Sequence, residues 1–167
     1  MQPVVIFSHG KESGPKATKI VAMQEIVDEF GLKSYSLDYQ GIETVEQRVE
    51  KLNQFMKTIN RPFILVGSSM GAYVSLVASQ NNPYIDGLFL LAPALGFEGY
   101  ETADLAVSPH TKIVHGWRDE VVPVQNVIEF AQAHHIHLEL VDDEHRLSES
   151  IERINVQLKN FLQELEL

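Results

Sequence analysis

The sequence predicts an α/β protein, a three-layer α/β/α sandwich whose central, mostly parallel sheet has about six strands. Three observations lead there. Short apolar runs alternate with longer segments of helical spacing along the whole chain. The run Phe63 to Val66 is apolar at every position, as in a strand covered on both faces. Each apolar run is followed by a helix or an irregular segment, which implies right-handed crossovers between parallel strands.

Residues 3–7 form a β-branched apolar run ending in Ser8-His9-Gly10, a strand leading into a loop. After Gly14-Pro15, apolar positions Ile20, Val21, Ile26, Val27 and Phe30 recur at helical spacing over 17–30, and Gly31 stops the helix. A second strand is expected at 34–37. Thr44 stands three residues before Gln47, a capping-box spelling, ahead of a helix to about Ile59 whose apolar face includes Val45, Val49, Leu52, Phe55 and Met56. Asn60-Arg61-Pro62 ends it, and the strand at 63–66 follows. Residues 70–80 read as a helix rich in small and apolar residues, stopped by Asn81-Asn82-Pro83.

Gly87 to Leu91 and Lys112 to Val114 are the next two strands. Between them, residues 94–110 have little periodicity and read as a loop or short cap near the site. Pro123 opens a helix carrying Val127, Ile128, Phe130 and Ala131. Ile136 to Val141 is the last strand, and a helix from about Ser148 to Leu165 closes the chain.

One domain of 167 residues is expected, large enough for a real core. Cysteine is absent, which excludes disulfides, thiolate metal sites and a thiol nucleophile. The first residues lack the basic segment and long apolar core of a signal peptide, so a cytoplasmic protein is expected. A net charge of -10 with no basic patch argues against nucleic acid and membrane surfaces as partners and favours small uncharged substrates.

The chemistry concentrates at Gly67-Ser68-Ser69-Met70-Gly71, a G-x-S-x-G run between a strand and a helix. A chain that leaves a strand and enters a helix within about two residues forces strained dihedrals on the central serine and needs glycines on either side. Only Ser69 has glycine at both minus two and plus two. A serine nucleophile needs a base, and the base needs an orienting carboxylate, in the order Ser, Asp or Glu, His. His115-Gly116-Trp117-Arg118-Asp119 follows the fifth apolar run and Asp143-Glu144-His145 follows the sixth, so Asp119 and His145 arrive at the same rim as Ser69. Glu120, Asp142, Asp143 and Glu144 are rivals to Asp119, and His115 is the rival to His145; His115 suits a structural hydrogen bond in the strand-end turn. The oxyanion donors are expected to be the backbone NH of Met70 and that of Lys11, with Gly10 as the alternative to Lys11.

The residues His9-Gly10, Gly67 to Gly71, His115 to Asp119 with Val122-Pro123, and His145 give the chain a resemblance to the α/β-hydrolase superfamily, especially its short, lidless, esterase-like bacterial members. The resemblance spans almost the whole chain. It implies a minimal α/β-hydrolase fold, lacking the two strands that usually precede the His-Gly loop. It also implies Ser69 as nucleophile, His145 as general base then acid, and Asp119 as its orienter. His9, Gly10 and Trp117 are expected along the substrate's path, His9 by shaping the loop rather than reacting. His134, His135 and His137 do not fall on one helical face, so no metal site is expected. The activity implied is cofactor-independent hydrolysis of small soluble esters or thioesters through an acyl-enzyme. The alternative is a ligand-sensing module on the same fold, with little or no turnover.

Overall fold

The computed structural model describes residues Met1–Leu167. Eleven elements follow one another: β1 (Val4–Ser8), α1 (Thr18–Glu29), β2 (Lys33–Leu37), α2 (Val45–Lys57), β3 (Phe63–Ser68), α3 (Met70–Ala78), β4 (Ile85–Leu91), β5 (Thr111–Gly116), α4 (Val124–His134), β6 (His137–Val141) and α5 (Ile151–Glu164). The six strands make one sheet in the order β2-β1-β3-β4-β5-β6, and every neighbouring pair is parallel. Alternate residues of each strand face opposite layers. Val4, Ile6, Leu65, Leu88 and Ile113 pack with α2, α3 and α4, whereas Val5, Phe7, Ile64, Phe89 and Val114 pack with α1 and α5.

The helix ends follow local chemistry. Thr44 Oγ1 accepts the Gln47 amide at 3.2 Å and caps α2. Gly31, at φ 68°, closes α1 by donating its N–H to the Asp28 carbonyl. The last helix begins at Ile151 rather than near Ser148: Leu147 is at φ 53°, and Asp143 Oδ2 holds the Glu149 amide at 3.0 Å and the Ser150 hydroxyl at 2.7 Å in a turn ahead of the helix.

The segment expected as a loop or short cap is a crossover loop. It must carry the chain from the carboxyl end of β4 to the amino end of β5, and it does so without a helix, strapped along α3. Tyr100 meets the Tyr73 ring edge-on at 5.1 Å, Tyr73 Oη donates to the Glu101 carbonyl at 2.7 Å, and Gln80 exchanges two hydrogen bonds with the Ala106 backbone. Only the turn at Gly96 to Tyr100, beside Asn126 of α4, stays at the carboxyl rim.

From β1 the chain steps outward to β2, returns to the other side of β1 as β3, and then runs steadily to β6. Its direction therefore reverses between β1 and β3, and α1 and α3 accordingly lie on opposite faces. The loops after these two strands part there, opening the crevice where open α/β sheets bind ligands.

Candidate active site

The tight turn after β3 is possible only because of its two glycines. A Cβ on Gly67 would lie 2.4 Å from the Gly71 carbonyl oxygen, and one on Gly71 would lie 2.0 Å from the Ser8 carbonyl oxygen. The strain falls on Ser69, at φ 54° and ψ -116°, a conformation serine rarely adopts. The turn is held from below: the Ser69 N–H donates to the Leu91 carbonyl at 2.9 Å, and the Ala94 N–H donates to the Ser69 carbonyl at 3.3 Å.

Ser69 Oγ lies 2.9 Å from His145 Nε2, and His145 Nδ1 lies 2.7 Å from Asp119 Oδ2. The Asp119 side chain is fully buried. Burial would raise its carboxyl pKa, but hydrogen bonds from His145 and from the Val122 and Val121 amides outweigh that and hold it below the usual value. The two amides reach Oδ1 at 2.7 and 2.8 Å, leaving Oδ2 for the imidazole. A carboxylate held ionised only accepts, so His145 donates from Nδ1, and in a neutral ring Nε2 is then the acceptor for the serine hydroxyl. A group so arranged can take the Ser69 proton and return it.

His115 is buried below this line. Its Nε2 donates to the Val122 carbonyl at 3.0 Å and sits 3.3 Å from Asp119 Oδ2. Desolvation lowers its pKa, and its Nδ1 has no partner, so it stays neutral and serves the structural role expected of it.

Asp143, a rival to Asp119 in the sequence, has a different task. It accepts from the Glu144 amide (2.7 Å), the Glu149 amide (3.0 Å) and the Ser150 hydroxyl (2.7 Å), and so closes the loop that carries His145. That loop also lies against the end of β5, where a Cβ on Gly116 would come within 2.3 Å of the Asp143 carbonyl oxygen. Outside, Arg118 bridges the two loops through Asp142 and Glu144.

At the opposite wall, Gly10 faces the nucleophile: a Cβ on Gly10 would lie 3.7 Å from Ser69 Cβ. The Gly10 and Lys11 N–H groups have no acceptor within the protein. Met70 is the first residue of α3, where first-turn N–H groups have no acceptor inside the helix. His9 is not open to a substrate, contrary to expectation. Its side chain is fully buried, Nε2 accepts the Tyr39 amide at 2.8 Å, and Nδ1 therefore carries the proton and donates to the Gly10 carbonyl at 2.7 Å. The Trp117 side chain stands exposed at the rim, and its backbone N–H donates to the Val141 carbonyl.

Three residues organise the site in roles that the sequence pattern did not assign: Arg48, Tyr39 and Asp143. Arg48 had a visible signal. It lies three residues after Val45 and four before Leu52, a cation inside the apolar stripe of α2, and it is 1% exposed.

A parallel sheet with its reversal at a strained serine turn, and a histidine and a buried aspartate brought up from the next strand ends, defines the α/β-hydrolase superfamily. Within it the chain belongs to the Hydrolase_4 family, serine aminopeptidase, S33, whose profile matches residues 2–160. Among solved structures, a protein of the alpha/beta superfamily from Xanthomonas campestris pv. campestris superimposes with a TM-score of 0.88 at 30% identity, covering 98% of this chain and 99% of that one. An alpha-beta serine hydrolase homologue from Coxiella burnetii gives 0.80 at 22% identity, with 96% and 84% covered. Est1E from Butyrivibrio proteoclasticus gives 0.77 at 20%, with 98% and 88% covered. No curated protein sequence matches the chain.

Proposed function

We propose that the protein is a serine hydrolase that cleaves small soluble esters or thioesters through an acyl-enzyme. The observation that carries this reading is the unbroken line of short hydrogen bonds, 2.9 and 2.7 Å, from Ser69 through His145 to the buried carboxylate of Asp119. Ser69 Oγ attacks the substrate carbonyl while His145 Nε2 takes its proton. The resulting oxyanion is met by the N–H groups of Met70 and of Lys11, with Gly10 beside it. His145 then gives the proton to the departing alkoxide or thiolate, and the carbon–heteroatom bond breaks to leave the acyl-serine. Water, deprotonated by His145, attacks that ester, and Ser69 is released with its proton restored. Asp119 keeps its proton-free form throughout and stabilises the imidazolium. No helix is long and apolar enough to cross a membrane. A cytoplasmic setting belongs to the same reading and rests on the cysteine-free composition, which suits a reducing compartment. The short rim turn at Gly96 to Tyr100 suits small substrates.

A fluorophosphonate probe is expected to label Ser69. p-Nitrophenyl esters of graded chain length are expected to turn over, with Ser69→Ala lowering kcat by at least about a thousandfold. Equal turnover by Ser69→Ala overturns the reading. A stoichiometric burst with no further turnover points instead to the ligand-sensing alternative.

A further inference from the structure

We infer that Arg48 is a positioning residue that sets the oxyanion amides of the β1 loop. The inference rests on the hydrolase reading above. Arg48 is buried on α2 and pairs with no carboxylate. All its hydrogen bonds go to backbone carbonyls: Nε donates to Ile42 at 2.8 Å, Nη1 to His9 and Gly10 at 3.2 Å each, and Nη2 to Lys11 at 3.3 Å. The guanidinium carbon stands 5.4 Å from the Tyr39 ring centre.

Three successive carbonyls thus converge on one cation. The peptide bonds are all trans, and in a trans peptide the N–H points opposite to the carbonyl of the same unit. Holding the His9 and Gly10 carbonyls toward Arg48 therefore turns the Gly10 and Lys11 N–H groups away from it. Both amides lack an acceptor within the protein, and they stand at the start of the loop that faces Ser69. The unit bearing the Lys11 N–H is fixed most firmly, since its carbonyl also accepts His9 Nδ1 at 2.7 Å and the Ser13 amide at 3.4 Å. A buried charge without a counter-ion is costly, and carbonyl dipoles aimed at it offset that cost only while the loop keeps this conformation. The cation and the loop therefore fix each other, and donors set before the reaction need no reorganisation when charge develops.

The test compares Arg48→Met and Arg48→Lys with wild type and with Leu158→Ala, a core truncation on the far side of the sheet that controls for lost stability. In Arg48→Met, kcat is expected to fall about tenfold to a hundredfold with KM within about twofold, and the lysine variant should lie between it and wild type. Leu158→Ala should lower Tm and leave kcat unchanged. The Gly10 and Lys11 amide resonances should shift in both Arg48 variants. If the methionine protein does not fold, the lysine protein carries the comparison. A kcat loss no larger than that of Leu158→Ala, or amide resonances that do not move, overturns the inference. If wild type shows no Ser69-dependent turnover, the hydrolase reading fails by itself, and the amide resonances still decide whether Arg48 sets the loop.

Discussion

Ser69 owes its conformation to what its neighbours lack. Because a Cβ at position 71 would meet the Ser8 carbonyl oxygen at 2.0 Å, Gly71→Ala must push β1 and α3 apart. It is expected to cost about 3 kcal/mol or more, measured as a lowered urea midpoint, and to reduce probe labelling of Ser69 in the protein that still folds. Two buried imidazoles give a prediction of opposite character. His9 and His115 are both held below their ordinary value of 6.5, chiefly by desolvation. Below pH 6.5 the unfolded chain therefore binds protons that the folded chain refuses, so stability is full above that pH and lost as pH falls. Each group contributes a slope of up to about 1.4 kcal/mol per pH unit. Urea midpoints measured between pH 7 and 5 should fall, and His115→Gln should flatten the decline. Asp119 and Asp143, depressed from 3.8, add a second loss as the pH drops through the acid range. At this scale the meeting of Ser69, Asp119 and His145 was legible, because a G-x-S-x-G turn calls for a histidine and a carboxylate nearby and each of the three follows an apolar run. The task of Asp143 was not, since a carboxylate that accepts from its own loop is spelled like any acidic turn.

Elements place these residues, and their junctions are where the placement can be broken. The loop bearing His145 lies against the last residue of β5, so Gly116→Ala would drive a methyl group toward the Asp143 carbonyl and displace the imidazole from Ser69. A shift of about 1 Å is enough to cost roughly a hundredfold in kcat, and the far-ultraviolet spectrum should be unchanged. The α2 cap gives a milder outcome: Thr44→Ala is expected to lower stability by about 1 kcal/mol. Strand cores and helix faces were readable from apolar period alone, down to the Thr44 cap and the Gly31 stop. Three boundaries were not. The start of α5 follows a turn that Asp143 pins through the Glu149 amide and the Ser150 hydroxyl, and the strand ends Ser68 and Gly116 are polar or small because the chain turns tightly there.

For the whole molecule, the order of strands decides where chemistry can occur. The reversal between β1 and β3 sets the carbonyl-rich loop of one against the serine turn of the other, and the later strands bring the carboxylate and the imidazole along one edge. Alternation of apolar runs and helices made the layered class legible, but not the path of residues 94–110. Irregular sequence says only that no helix forms; that the segment must travel the height of the sheet follows from β4 and β5 being parallel neighbours.

That strapped crossover also marks where the molecule can be extended. Its turn tip, Glu98-Gly99, is exposed, a Cβ on Gly99 would meet open space, and the anchoring contacts at Tyr73 and Gln80 lie further along. Exposed tips of this kind tolerate inserted chain. A short helical hairpin grafted between Glu98 and Gly99 should leave Tm nearly unchanged and shift the preferred p-nitrophenyl ester toward longer acyl chains. On the proposed hydrolase reading, that outcome would separate the breadth of accepted substrates from the Ser69 machinery, a roof acquired with no change to the foundation.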